Sequence, residues 1–328
     1  MTKQQLIGTG FTAASTADDV LEGIDLTGKN AIVTGGHRGL GLEMTRALRK
    51  AGAHVTVAVR DPAAVDDPEA SQLDLLDPKS IDAFVERYLA TGRPLHILIN
   101  NAGIMAGPLH RDARGYESQF ATNHLGHFQL TLGLLPALRA AHGARIVNVT
   151  SGGHRLSDIR WDDPHFEREY DPMLAYGQSK TANVLFAVEL ERRWSQYGIH
   201  AFAAHPGIVI TTNLGPHLAV GEARTAWLSP EDLRAMGLTD ADGNQIVDPS
   251  RERKTAAQGA STAVFGATSP LLEGHGGTYL KDNEVSPLDT VGDTDFHDPD
   301  VRSDVVPHAV DPDSAVRLWN LSEELVKH

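Results

Sequence analysis

In AYGQSK, residues 175–180, a tyrosine and a lysine stand four positions apart. On a helix such a pair shares one face. An ammonium held near a phenol favours the phenolate, so Lys180 could lower the proton affinity of Tyr176 and make it a general acid or base. A pair this short also arises by chance, and its meaning depends on the element that carries it. The stretch DPMLAYGQSKTANVLFAVELERRW predicts a helix over 172–197, with Asp171 able to cap it and Pro172 in its first turn. Leu185, Phe186 and Val188 make its girth apolar, which suits a buried or dimer-facing helix.

A second chemical feature is TGGHRGLG, where Gly35, Gly39 and Gly41 follow an apolar run and precede a helical pattern. Strand, glycine turn and helix together build a pyrophosphate cradle. The glycines let backbone approach the phosphates, and the helix start offers free N–H groups with positive potential. The ribose 2′ position of a nicotinamide dinucleotide would then lie near the end of the second strand, where an acidic residue favours NAD. Here that strand ends in Arg60, and Arg38 sits inside the turn. Two guanidinium groups favour a 2′-phosphate, so NADP(H) is the preferred cofactor and NAD(H) a possible one. Either arginine could instead be a solvated surface side chain, and Asp61 could weaken Arg60.

These features need elements to position them. Apolar runs at 30–36, 54–60, 96–103, 145–153 and 200–207 end in small or turn-forming residues and predict buried strands. Helical patterns at 39–51, 78–90, 115–141 and 172–197 alternate with them. The expectation is an α/β fold: one Rossmann-type doubly wound parallel sheet with helices on both faces, in a single domain over 1–328. Residues 1–27 form an N-terminal extension. Residues 213–253 are too long for an ordinary connection and hold SPEDLRAMG, a short helix capped by Ser229, opened by Pro230 and ended by Gly237; this is a substrate lid in expectation. Residues 286–328, rich in Asp and Pro at first, wrap the surface and close in a helix near 314–326.

Composition narrows the function. With no cysteine, thiol nucleophiles, disulfides and thiolate metal sites are excluded. A net charge of −14 repels phosphodiester backbones and anionic lipid, so no nucleic-acid partner is expected. The first 30 residues carry no apolar core of a signal peptide, and the stretch 130–141 is short and broken by Pro136, so no membrane anchor and a cytoplasmic location are expected. Among 16 histidines, His124 and His127 are three apart in NHLGH, but no third ligand accompanies them and no metal is expected.

In order along the chain, the glycine turn, NNAG (100–103), a strand ending in VTS, Tyr176, Lys180 and HPG (205–207) resemble the short-chain dehydrogenases/reductases. FATNHLGHF, RIVNVTSGGH, LAYGQSKTANVLF and GATSPLLEGHGGTYL resemble the retinol-dehydrogenase-like branch. The resemblance implies Tyr176 as acid/base, Lys180 as its partner and ribose ligand, and Ser151 as the donor that orients a carbonyl. It implies Asn123 as the anchor of a water joining Lys180 to solvent. It further implies cofactor contacts from Leu40, Asn101, Ala102, Gly103, Asp74 and Leu75, and from Pro206, Gly207, Val209 and Thr211, and a homodimer or higher homo-oligomer. The bland alternatives are a strand-end cap for Ser151 and a satisfied helix backbone near Gly126 for Asn123. Thr150 competes with Ser151, but strand alternation sends the two side chains to opposite faces.

Two departures stand out. Only 12 residues separate Arg60 from Leu73, so the helix after the second strand is short or missing. Between Ser151 and Tyr176 lie 24, a stretch expected to border the substrate. The leading reading is an NADP(H)-dependent oxidoreductase interconverting a carbonyl and an alcohol on an apolar, secondary-metabolite-like small molecule. The alternative is a catalytically silent cofactor-binding regulator or scaffold of the same fold. An epimerase or dehydratase is disfavoured because its turn is usually G-x-x-G-x-x-G.

Overall fold

Alternating strands with apolar residues on both sides need cover on both faces, and a parallel sheet between two helical layers supplies it. The computed structural model describes residues 3–210, 229–291 and 302–327. Its elements run β1 (Asn30–Thr34), α1 (Gly39–Lys50), β2 (His54–Val59), β3 (Ala70–Gln72), α2 (Pro78–Ala90), β4 (Ile97–Asn100), α3 (Ser118–Phe120), α4 (Gly126–Gly133), α5 (Leu135–Ala140) and β5 (Ala144–Val149). They continue with α6 (Pro172–Trp194), β6 (Ile199–His205), α7 (Pro230–Ala235), α8 (Ala256–Thr268), β7 (Thr278–Lys281), β8 (Glu284–Val285) and α9 (Pro312–Val326). The eight strands form one sheet in the order β3-β2-β1-β4-β5-β6-β7-β8. Only the β7–β8 pairing is antiparallel.

Period-two alternation sorts side chains into two cores. Ile32, Leu98, Ile146 and Ala203 face α2, α4, α6 and α9, with Phe84, Phe128, Phe186 and Trp319. Their neighbours Val33, Ile99, Val147 and Phe202 face α1 and α8, with Met44, Leu48, Val264 and Phe265.

The helix expected over 115–141 is broken. Gly115 lies at φ 86 and the helix starts only at Ser118, where the Glu117 carboxylate takes the Gln119 and Phe120 N–H groups. Residues Ala121–Leu125 form a π-helical turn, and the helix stops at Gly133 and restarts at Leu135 beside Pro136. Proline has no N–H to give to the residue four before it. The helix after β2 is reduced to a 3-10 turn, Pro62–Ala64, as the spacing implied. Three short strands, β3, β7 and β8, and helix α8 extend the alternation beyond the segments marked in the sequence.

Residues 3–27 are tied to the far sheet edge: the Glu284 carboxylate accepts the N–H groups of Ile7, Gly8 and Thr9 at 2.9, 2.8 and 2.9 Å. At the other end α9 lies on α6. Trp319 packs edge-on against Phe128 and Trp194 at 5.0 and 6.0 Å, and Arg193 lies over its ring. Thus α9 covers much of the apolar girth of α6. No helix among the described residues is long and apolar enough to cross a membrane.

Candidate active site

In a doubly wound sheet the crevice opens where strand order reverses, here between β1 and β4. A cavity of about 530 Å³ lies there, above the carboxyl ends of β1, β2, β4, β5 and β6. It is lined by Gly35, Arg38, Gly39, Leu40, Gly41, Arg60, Asp74, Leu75, Asn101, Ala102, Gly103, Ser151, Tyr176, Lys180, Pro206, Gly207 and Val209, so these sequence-derived site residues are brought together. Asn123 is fully buried one layer behind, and Thr211 lies outside the described residues.

The glycine turn is folded tightly on itself and leaves no room for a side chain at Gly41. A Cβ on Gly41 would run into the Gly35 carbonyl and stand 2.7 Å from Asn101 Nδ2. Thr34 ties this turn to the next strand: its Oγ1 accepts the Asn101 and Ala102 N–H groups at 2.9 Å each, and its carbonyl accepts Asn101 Nδ2 at 2.8 Å. On the β2 side Arg38 and Arg60 are exposed, and no described carboxylate pairs with either. Burial and then repulsion by Arg60 lower the pKa of Arg38. Asp61, which could have quenched Arg60, turns back to accept the Ala63 N–H. A cationic pair with no described carboxylate partner beside a glycine cradle fits the phosphates of a nicotinamide dinucleotide.

On the β5 side stand the catalytic candidates. Helix α6 is capped by Asp171, whose Oδ1 accepts the Met173 and Leu174 N–H groups at 2.7 and 2.8 Å, with Pro172 in the first turn. Tyr176 and Lys180 are 4% and 3% exposed on one face of it. Lys180 Nζ donates to the Val149 carbonyl at 3.2 Å and lies 5.5 Å from the Tyr176 ring centre. Burial pushes the phenol up to about 12, against a hydrogen bond with Ser151. Burial thus sets the phenol in the opposite direction to the lowering expected from Lys180, which is itself desolvated and pushed down to about 8. Its partner is a carbonyl, and Ser151 is what draws the phenol down.

Ser151 combines its two readings. It caps the turn after β5, its Oγ accepting the Gly153 N–H at 3.1 Å, and it also meets Tyr176. Thr150 points the other way and donates to the Lys180 carbonyl at 2.8 Å.

Asn123 sits in the π-helical turn and serves neighbouring backbone, though not that of Gly126. Its Oδ1 accepts the Ile104 N–H at 2.9 Å, and its Nδ2 donates to the Ile104 carbonyl at 3.0 Å and Ser179 Oγ at 2.9 Å. Both Nδ2 hydrogens are thus used, and a water joining Lys180 to solvent would have to donate to Oδ1 or to the Asn123 main-chain carbonyl. That carbonyl already accepts His127 Nδ1–H at 3.0 Å, while His127 Nε2 meets Thr34 Oγ1 at 2.9 Å. His124 faces Ser322 of α9 instead, at 2.7 Å. The two histidines of NHLGH therefore serve different neighbours, Ser322 of α9 and Thr34 of β1, as hydrogen-bonding groups. Among the described residues no three metal-ligating side chains gather.

Sequence reasoning passed over Thr34, Gly153, His154, His205 and Glu252, and weighed His127 only as a metal ligand; all of them shape the site. The signal for some was in hand, since GGH and HPG were recognised as motifs, but nothing in their spacing told what each histidine bonds. Of the expected lid, 229–253 are described. The Ser229–Asp232 capping box opens α7, and Leu233, Met236 and Leu238 add apolar wall to the cavity.

The chain matches the model of the family described as "short chain dehydrogenase" over residues 29–219. It is 44% identical to a "Probable oxidoreductase" of Streptomyces lividans over 310 residues, 90% of this chain and 97% of that protein. It is 36% identical to "Retinol dehydrogenase 12" of Mus musculus over 92% of this chain and 88% of that one. The crystal structure of an uncharacterized protein from Mycobacterium Paratuberculosis shares the fold at a TM-score of 0.65 and 32% identity, over 97% of this chain and 98% of that one. With the cavity at the strand reversal and this breadth of likeness, the chain belongs to the short-chain dehydrogenase/reductase family, in its retinol-dehydrogenase-like branch, and is an NAD(P)-dependent oxidoreductase.

Proposed function

We propose that the protein is an NADP(H)-dependent carbonyl reductase for apolar small molecules, with Tyr176 as its general acid. The observation that carries the reading is the meeting of Tyr176, Ser151 and Lys180 in the cavity that the Arg38–Arg60 pair also lines. A bound NADPH supplies the hydride. The chain's residues do the rest. Charge gathers on the carbonyl oxygen as the reaction proceeds, and a hydroxyl aimed there is worth more in a buried site than in water. Ser151 supplies that hydroxyl, and Tyr176 supplies the proton. Because burial holds the phenol at about 12, Tyr176 is protonated at neutral pH, the form that reduction requires. Lys180 holds the ribose. Asn123 holds Ile104 at the cavity wall.

Substrate class follows from the remaining wall, where Ile104, Met105, Met173, Leu233, Met236 and Leu238 converge. An apolar carbonyl compound suits them, and 229–253, the described part of the expected lid, borders it. Two copies pairing as a homodimer, the family-level reading, would leave α6 beneath α9 and use another face.

The test is a carbonyl panel assayed with NADPH, alongside Tyr176→Phe. Turnover that the substitution abolishes supports the reading; cofactor binding with no turnover on any carbonyl would turn the assignment to a silent cofactor-binding regulator.

A further inference from the structure

We propose that His154 and His205 are positioning residues that grip one peptide group, Ser151–Gly152, from its two ends and so aim the Ser151 hydroxyl. The proposal rests on the reductase reading above.

The hydrogen bonds fix both tautomers. His154 Nδ1 lies 2.7 Å from the Ser151 carbonyl oxygen, which can only accept, so the proton is on Nδ1. Its Nε2 then accepts the Val306 N–H at 3.4 Å. His205 Nδ1 lies 3.1 Å from the Gly152 nitrogen, whose N–H can only donate, so that Nδ1 is bare. Its proton is on Nε2 and goes to Glu252 Oε2 at 2.8 Å. The Ser151 carbonyl and the Gly152 N–H are the two polar ends of a single peptide plane. Two imidazoles in opposite tautomers therefore hold it against rotation, although the two glycines that follow leave this turn conformationally free.

The topology makes the grip possible. β5 and β6 are neighbours, with Val149 opposite Ala204, so their carboxyl ends bring Ser151 and His205 side by side. Both imidazoles pack on the buried Tyr279 ring, with centres at 4.9 and 6.3 Å. Behind His205, Glu252 also takes Lys281 Nζ at 2.9 Å and the Ser303 hydroxyl. Burial works to raise the Glu252 carboxyl, yet His205 and Lys281 hold it far below the usual carboxylate range. Glu252 stands at φ 65, a left-handed conformation that strains a non-glycine residue. A strained, buried carboxylate kept on the cavity wall behind a histidine is what an orienting group looks like.

The experiment compares His205→Asn with His205→Gln. Asparagine can place an amide oxygen where Nδ1 stands and still accept the Gly152 N–H; glutamine places its polar atoms where Nε2 stands and loses that bond. Carbonyl turnover with NADPH, NADPH affinity by fluorescence titration and amide hydrogen exchange over 150–157 are measured for both. His205→Gln is expected to lose about tenfold or more in kcat, with NADPH Kd within about twofold of wild type and a faster-exchanging Gly152 amide. His205→Asn is expected to restore both kcat and protection. Equal kcat and equal Gly152 protection in the two variants would overturn the proposal. Should the wild type reduce no carbonyl, the reductase reading fails, and the exchange comparison still decides whether His205 holds the peptide.

Discussion

Gly153 and Tyr176 occupy adjoining space with nothing to spare: a Cβ on Gly153 would stand 2.8 Å from Tyr176 Cε1 and 3.0 Å from Cδ1. The glycine is what lets the ring lie against the turn that carries Ser151. Gly153→Ala must push the phenol aside, and a displacement near 1 Å at a reacting group costs about a hundredfold. The expected result is a kcat lowered by about tenfold to a hundredfold with little change in melting temperature, read from steady-state kinetics and thermal unfolding. An unchanged kcat would mean that the ring position is not what turnover depends on.

Cofactor choice is separable from chemistry because Arg60 follows β2 whereas Ser151, which meets Tyr176, follows β5, with β1 and β4 between them. Arg60→Ala removes one guanidinium from a site that no described carboxylate neutralises. It is expected to weaken NADPH by about tenfold while changing NADH by less than about threefold, since only the former carries the 2′-phosphate. Titrating both cofactors checks this, and equal losses would remove the case for NADP(H).

Lys180 is buried, no described carboxylate pairs with it, and its pKa of about 8 lies below the ordinary 10.5. Unfolding therefore takes up a proton between those two pH values, so this group makes the protein more stable as pH rises from about 8 to about 10.5. Below pH 8 the cost of the buried ammonium is fully present, of the order of 3 kcal/mol as an upper figure. Lys180→Met should accordingly raise stability at pH 7, by an advantage that shrinks toward pH 10.5, while turnover is lost and cofactor affinity falls. Denaturant titrations of both proteins at the two pH values measure it; a variant less stable at pH 7, or an advantage that does not change with pH, would contradict it.

Much of this site was legible because it is written in short motifs at strand ends. Gly35, Gly39 and Gly41, the NNAG loop and Ser151 each follow an apolar run that reads as a buried strand, and a parallel sheet must bring such ends to one crevice; the Tyr176–Lys180 pair was legible instead from its spacing on a capped helix. The cap at Asp171 was equally local, whereas the break beside Pro136 was missed within a helix expected to run over 115–141. What escaped the sequence is non-local or set by degree of burial. Nothing in a string tells that burial outweighs Lys180 in setting the Tyr176 phenol. Nor does it tell that Glu252 reaches back to His205, 47 positions earlier in the chain. The π-helical turn at Ala121–Leu125 escaped too, because its apolar residues follow an ordinary helical pattern and only the backbone geometry sets it apart.

Helix α9 gives the last test, of support rather than chemistry. Trp319 is 4% exposed and meets Phe128, Phe186 and Trp194, two of them on the helix that carries Tyr176 and Lys180. Truncating a buried tryptophan costs about 3–5 kcal/mol through lost transfer energy and the cavity left behind. Trp319→Ala is therefore expected to lower unfolding stability by about 3 kcal/mol or more, and Trp319→Phe by distinctly less, because a smaller ring still fills part of the space. Since the indole lies on the α9 side of α6 and Tyr176 faces the cavity, kcat should remain within about threefold of wild type at temperatures where the variant stays folded. Chemical denaturation and kinetics on the same samples decide it: a large loss of kcat without a loss of stability would mean that α9 positions Tyr176 directly.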